Sequence, residues 1–288
     1  MKKNRIIIYF VLVIFFTLFN FYFRPISKNE QVTEEYKKSS AYINKIYKSN
    51  EYFKKNIIKN KEEEKVYNQV INDIKANKTT AKIKCKTNCA DYYQDIVNII
   101  YLDHPELIKF QSMRWRFTDS SNIESSYTNL DPLRTFFGTL RIEREIDAIK
   151  RETKNMDDKD KIIYVYDYIA SHNYDHLFTY SSSNQSAYSF FSKKSSVCAS
   201  FAKTAQLIFQ NIGIESYGVL NNEHMWNYVK YDNKYYVFDA TVGASYSEKS
   251  SPNFYDGLGK TTVDAITGYY PVLYPPIEQT PLKEIFGL

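Results

Sequence analysis

Residues 195–244 read SSVCASFAKTAQLIFQNIGIESYGVLNNEHMWNYVKYDNKYYVFDATVGA and carry a cysteine, a histidine and an aspartate in that order. After Cys198, the apolar residues Phe201, Ala205, Ile208 and Ile212 recur at steps of four, three and four, the period of one helical face. Gly213 then supplies a helix stop. Ser195 and Ser196 are the expected N-caps, which puts Cys198 in the first turn. There the free backbone N–H groups and the helix macrodipole favour a thiolate over a thiol.

Downstream, HMWNYVKY and KYYVFDAT are β-branched and aromatic runs flanking Asp232 and Asn233, the composition of a β-hairpin with a two-residue turn. If those two residues form the loop, Tyr231 pairs with Lys234, Trp226 lies opposite Asp239, and His224 faces Thr241. Side chains alternate with period two, so His224, Trp226, Asp239 and Thr241 share a face. Asp239 is then the diagonal neighbour of His224, with Cα atoms roughly 7–8 Å apart. A carboxylate can bridge that gap to an imidazole. The expected chemistry follows: His224 takes the thiol proton of Cys198, and Asp239 fixes the tautomer and stabilises the imidazolium.

The run HMWNYVKYDNKYYVFDAT resembles the H-A-W-N-x-V-x-x-D-G-x-W-Y-x-x-D-x-T pattern of the bacterial transglutaminase-like superfamily, relatives of papain. In that family the cysteine opens a helix within G-x-C-x-G-[YF]-[AS]. The corresponding run here is SVCASFA, with serine in place of both glycines. Residues 164–175, YVYDYIASHNYD, resemble the family's helix ending in an asparagine-rich Y-D segment, so the likeness covers about residues 157–245. It implies Cys198 as nucleophile, His224 as base, Asp239 as orienting acid and no metal or organic cofactor. The implied fold is an α+β, papain-like core, with the cysteine at a helix N-terminus packed on an antiparallel sheet bearing the histidine and aspartate. Gln185, Tyr188 and Tyr174 are candidates for a second oxyanion donor beside the Cys198 N–H.

Taken singly, these residues say little, since free cysteine is among the most buried residue types and a lone His or Asp in a strand is common. Their conjunction carries the reading: a thiol acyl-transfer enzyme, protease/amidase or transamidase, acting on a peptide, protein or cell-wall carboxamide. The rival is a non-catalytic surface module that uses a tyrosine-rich face to bind peptide or glycan. The chain has 27 tyrosines in 288 residues, ample material for such a face.

Toward the N-terminus, residues 1–5 include Lys2, Lys3 and Arg5, and residues 6–23 are apolar apart from Thr17 and Asn20, long enough to span a bilayer. No small-residue cleavage site follows Phe23, so the expectation is an uncleaved signal anchor, N-terminus cytoplasmic and the remainder extracytoplasmic. Removing Lys2, Lys3, Arg5 and Arg24 from the 38 basic residues leaves 34 against 33 acidic. With no basic cluster on the remainder, nucleic acid is not an expected partner.

Residues 24–75 are polar and lysine-rich with apolar residues at near-helical spacing, read as a helical stalk or spacer, or a helix packed on the domain. Residues 76–156 form an accessory region. In it, Cys85 and Cys89 are available to pair, leaving Cys198 as the odd thiol. Residues 91–102 read as a helix ended by DHPEL, which resembles the D-x-P-E-[LI]-F-W element of extracellular transglutaminase-like proteins. FQSMRWRF reads as a strand, residues 120–130 as a polar connection, and residues 133–150 as helical. His104 reads as a turn residue. Residues 157–245 are the core domain, whose first helix buries Ile162, Tyr166 and Ile169. His172 and His176 lack the glutamate of H-E-x-x-H and read as surface histidines rather than metal ligands. Residues 246–288, with Pro271, Pro275, Pro276 and Pro281, are expected to wrap the core as edge strands and loops.

Overall fold

The helix that carries Cys198, whose thiol is free, is buried on every side from Ala199 to Phe209. The computed structural model describes residues 47, 49, 51–175, 184–192, 196–221, 223–246, 249–259 and 273–288. In chain order the elements are α1 (Tyr52–Ile57), α2 (Lys61–Lys75), β1 (Thr80–Lys84), α3 (Tyr93–Asp103), β2 (Phe110–Asp119) and β3 (Asn122–Asn129). Then come α4 (Pro132–Glu152), α5 (Asp158–Ala170), α6 (Ala187–Ser192), α7 (Cys198–Ile212), β4 (Ser216–Leu220), β5 (Met225–Tyr231), β6 (Lys234–Phe238), α8 (Ala240–Ala244) and α9 (Leu282–Phe286). Short 3₁₀ turns lie at Cys89–Asp91 and Phe254–Leu258.

The architecture is α+β. The described strands form two three-stranded antiparallel sheets, ordered β1-β3-β2 and β4-β5-β6. Helix α7 serves both cores. Phe201, Ala205 and Ile208 join a cluster with Ile162, Tyr166 and Ile169 of α5 and Phe238 of β6. Ala199 and Ala202 join a second cluster with Trp226, Val70 and Ile74 of α2, and Ile96 and Ile100 of α3. A helix wedged between two apolar clusters cannot rotate or slide without opening a cavity in one of them. Each buried large side chain so displaced would cost about 2–5 kcal/mol.

The β5–β6 hairpin has the expected register, Tyr231 opposite Lys234 through Asn227 opposite Phe238. Asp232 (φ 47°) and Asn233 (φ 59°) are both left-handed, as a type I′ turn requires. The ladder stops one pair short of the expected partnership between Trp226 and Asp239. At Asp239 the chain leaves the strand and begins α8, because the Asp239 carboxylate caps that helix through Thr241 N–H.

Other expectations are corrected. Helix α7 spans Cys198–Ile212 and ends at left-handed Gly213 (φ 83°), but Ser196 does not cap it, and Ser195 lies outside the described residues. The N-cap is Val197, with no side-chain bond, and Ser196 is instead in a parallel bridge with Tyr174. Residues 122–129, expected as a connection, form β3, because Ile123, Ser125 and Tyr127 alternate inward. His104 is more than a turn residue: it is buried, meets the Tyr67 hydroxyl at 2.5 Å through Nε2 and Glu106 at 2.6 Å through Nδ1. His172 is half-buried rather than a surface histidine, its ring 4.2 Å from that of Phe190. His176 lies outside the described residues.

The described part of residues 24–75 packs on the domain, with Phe53, Val66, Tyr67, Val70 and Ile74 buried. Cys85 and Cys89 form a disulfide. Among the described residues, no helix is long and apolar enough to cross a membrane, and the apolar run at residues 6–23 lies outside them.

Candidate functional site

Cys198 is the first residue of α7 and is partly exposed, while the residues from Ala199 to Phe209 behind it are buried. Two anchors place the facing strand. Asn227 of β5 is buried and donates from Nδ2 to the Ala202 carbonyl of α7 at 3.0 Å. Just before β5, Asn221 Oδ1 accepts the backbone N–H groups of Glu223 (3.0 Å) and His224 (2.8 Å), folding the chain so that His224 points back at the helix. The imidazole stacks on Trp226, centroids 5.7 Å apart and planes 14° from parallel.

His224 Nε2 lies 2.7 Å from Asp239 Oδ2. The other carboxylate oxygen accepts from Thr241 N–H at 3.1 Å and Thr241 Oγ1 at 2.5 Å. With both Asp239 oxygens engaged, the carboxylate cannot rotate away from the ring. Asp239 is itself held from behind, since its N–H donates to the Gly257 carbonyl at 2.9 Å. Gly257 in turn donates to the Tyr166 hydroxyl at 3.2 Å, and that hydroxyl donates to Phe254 O at 2.7 Å. A Cβ on Gly257 would collide with the Asp239 carbonyl, so this approach admits only glycine.

With Nε2 committed to Asp239, Nδ1 remains for the thiol, and the Cys198 side chain is hydrogen-bonded to His224. Burial pushes the thiol pKa up. The His224 hydrogen bond and charge, with the Met225 and Ala199 N–H groups, outweigh it and leave the pKa below its ordinary value. For His224, burial acts downward but is outweighed by hydrogen bonds to Asp239 and Cys198 and by their charge, so its pKa is pushed up to about 10. Both shifts favour thiolate and imidazolium near neutrality.

Of the three oxyanion candidates, only Tyr174 meets the cysteine. Its hydroxyl is hydrogen-bonded to both the thiol and the backbone N–H of Cys198. The parallel bridge to Ser196 and the ring contact with Phe201 (5.6 Å) hold it there. Tyr188 packs against Gly138 of α4, and Gln185 Nε2 donates to Asn184 Oδ1 at 3.1 Å.

The two serines standing where the family pattern has glycines differ in role. Ser200 Oγ donates to Ser186 O at 2.8 Å and accepts from Ser189 Oγ at 2.9 Å, tying α6 to α7 on the far side of the thiol. Ser196 is buried with its hydroxyl unpartnered, its backbone being what holds the Tyr174 segment. Sequence reasoning missed Thr241 as a carboxylate clamp and Gly257 as its backing. The glycine at 257, in a run otherwise suited to a loop, was the available signal. Among the described residues no group of His, Cys, Asp or Glu is arranged to hold a metal ion.

Compared with known families, residues 147–240 match the Transglutaminase-like superfamily, so a transglutaminase-like domain occupies that part of the chain. No curated protein matches the chain. Among solved structures, one titled "Crystal structure of a TGase" matches at 15% identity with a TM-score of 0.31. The match covers 56% of this chain and 50% of that one, so this chain spans about half the length of that structure.

Proposed function

We propose that the chain is a thiol acyl-transfer enzyme, a protease/amidase or transamidase, acting on peptide or cell-wall carboxamides through Cys198, His224 and Asp239. The observation that carries this reading is the hydrogen-bonded series from the thiol through His224 to a buried, doubly held Asp239. The Cys198 thiolate attacks the carbonyl carbon, forming a C–S bond and moving the carbonyl electron pair onto oxygen. In this reading the Cys198 N–H and the Tyr174 hydroxyl, which meet each other in the free protein, exchange that contact for hydrogen bonds to the oxyanion. Collapse of the intermediate breaks the C–N bond, and the His224 imidazolium gives its proton to the departing amine. The resulting thioester is cleaved by water or a second amine, whose proton His224 accepts while the thiolate leaves.

The reading also places the domain outside a membrane, held by residues 6–23. Support comes from the disulfide between Cys85 and Cys89, since such pairs persist in oxidising compartments. The full chain is to be treated with a glutamine-containing peptide p-nitrophenyl ester and followed by intact mass. An adduct on Cys198 that is discharged by water or a primary amine, and absent from Cys198→Ala, is the expected result. If no adduct forms although Cys198 is solvent-accessible to small alkylating reagents, the enzyme reading fails and the surface-binding module takes its place.

A further inference from the structure

Strand β2 pairs with β3 along one side, and no strand among the described residues pairs its other side. From Ser112 to Phe117 the register with β3 is regular, so an unbroken row of backbone groups is presented at that edge. Its side chains sort by face. Arg114 and Arg116 stand on the exposed face, with Ser126 and Glu124 opposite them on β3 and Thr80 and Lys82 beyond those on β1. Together these six residues help line an open groove of about 560 Å³. On the other face Trp115 is half-buried against Tyr93 (centroids 5.8 Å apart), and Phe117 is 43% exposed.

The charge in the groove is unbalanced. Glu124 is its only acid, and it serves both Arg116 (2.5 Å) and Lys82 (3.9 Å). Those contacts involve exposed groups and hold little energy in water. Arg114 adds a further positive charge, so the groove carries three cations against one carboxylate. Residues two apart in a strand are about 6.8 Å apart on the same face, so Arg114 and Arg116 repeat at the spacing of alternate side chains in any extended partner strand.

We propose that β2 is a docking edge for an extended polypeptide with acidic residues at alternate positions, facing Arg114 and Arg116, and apolar residues between them, facing Trp115 and Phe117. The partner adds a fourth strand to the β1-β3-β2 sheet. Main-chain hydrogen bonds to β2 supply affinity, and the arginine forks take the carboxylates. The same charges exclude a second copy of this chain. An antiparallel pairing of β2 with itself about residue 115 sets each Arg114 across from Arg116 of the other copy, and like charges so placed oppose association. The edge lies on the accessory sheet, apart from Cys198, so the proposal stands whether or not the thiol turns over substrate.

The test uses fluorescently labelled Glu-Val-Glu-Val-Glu-Val-Glu, its Lys-Val counterpart, and a Glu-Val version N-methylated at alternate amides, with anisotropy read against the full chain. The Glu-Val peptide binds and the Lys-Val peptide does not. R114E/R116E weakens Glu-Val binding on the order of tenfold or more and confers binding of the Lys-Val peptide. The N-methylated peptide, which keeps its charge but cannot pair along a strand, loses binding. Equal binding of the N-methylated peptide, or of heparin in competition, overturns strand addition in favour of a simple anion-attracting face. Unchanged binding by R114E/R116E, or sedimentation showing a dimer disrupted by that variant, overturns the proposal outright.

Discussion

Asp239→Asn is the most informative single-atom change at the site. The Asn Oδ1 can still accept from Thr241, and asparagine is as good an N-cap as aspartate, so α8 is retained at a cost of about 1 kcal/mol or less. The other carboxylate oxygen, 2.7 Å from His224 Nε2, is replaced by an NH2 group that only donates. Nε2 must then become the acceptor, the imidazole proton moves to Nδ1, and the nitrogen facing the thiol no longer has a lone pair for the thiol proton. His224 loses the carboxylate that helps hold its pKa near 10, and the thiol loses its imidazolium. A thiol at the ordinary pKa of about 8.5, or above it through the burial that remains, is at most about 3% thiolate at pH 7, so alkylation by iodoacetamide at pH 7 slows markedly. Acyl turnover falls further, on the order of 10³–10⁴-fold, because the remaining thiolate has no correctly protonated histidine to serve the leaving group. Alkylation is measured at pH 7 by intact mass, with circular dichroism confirming an unchanged fold. A variant that alkylates at the native rate would refute the assigned role of Asp239.

Tyr174→Phe removes the hydroxyl that meets the Cys198 N–H and thiol. Acyl-enzyme formation is expected to slow by about 10²-fold or more while Cys198 alkylation stays within a few-fold, as comparison of the two rates checks. Gly257→Ala drives a methyl group into the Asp239 carbonyl. It is expected to lower the melting temperature and activity together, read by thermal denaturation. Reduction of Cys85–Cys89, or the Cys85→Ser/Cys89→Ser variant, removes a short cross-link worth about 2 kcal/mol and lowers the denaturation midpoint while sparing alkylation of Cys198. Lys203, buried on α7 with its ammonium 4.2 Å from the Tyr101 ring centroid, has its pKa lowered to about 7, burial outweighing the opposing charge of Glu106. Between pH 7 and about 10 the unfolded chain binds this proton and the folded chain does not, so stability rises with pH across that window. Lys203→Met is expected to flatten that rise in urea denaturation.

The parts legible in the sequence are those governed by local rules. The Phe201, Ala205, Ile208 and Ile212 spacing located α7, and Gly213 located its end. Two residues tolerant of positive φ located the hairpin turn and hence its register. The register placed His224 and Asp239 within bonding distance although the actual link forms beyond the ladder, at the first residues outside each strand. What escaped depends on partners far along the chain. Ser196 has a good capping side chain, yet its backbone is drawn into pairing with Tyr174, so the cap is lost to a tertiary contact. His104 in DHPEL has the look of a turn, and only the approach of Tyr67, 37 residues earlier, makes it part of a buried polar chain. Tyr174 could not be told from Gln185 or Tyr188 because that choice rests on which segment crosses in front of the thiol. The run 122–129 was misread because its inward positions include Ser125, whose burial is explained by a 2.7 Å bond to the Tyr93 hydroxyl.

The proposed chemistry requires a thiolate–imidazolium pair at Cys198 and His224. The deciding measurement is the rate of Cys198 alkylation between pH 4 and 10 in the native chain and in His224→Ala. Native reactivity is expected to persist well below pH 8.5, and the His224→Ala profile to move up to 8.5 or above, since the burial of the thiol remains. A native profile that already titrates near 8.5, or one that His224→Ala leaves in place, would contradict the thiolate–imidazolium pair.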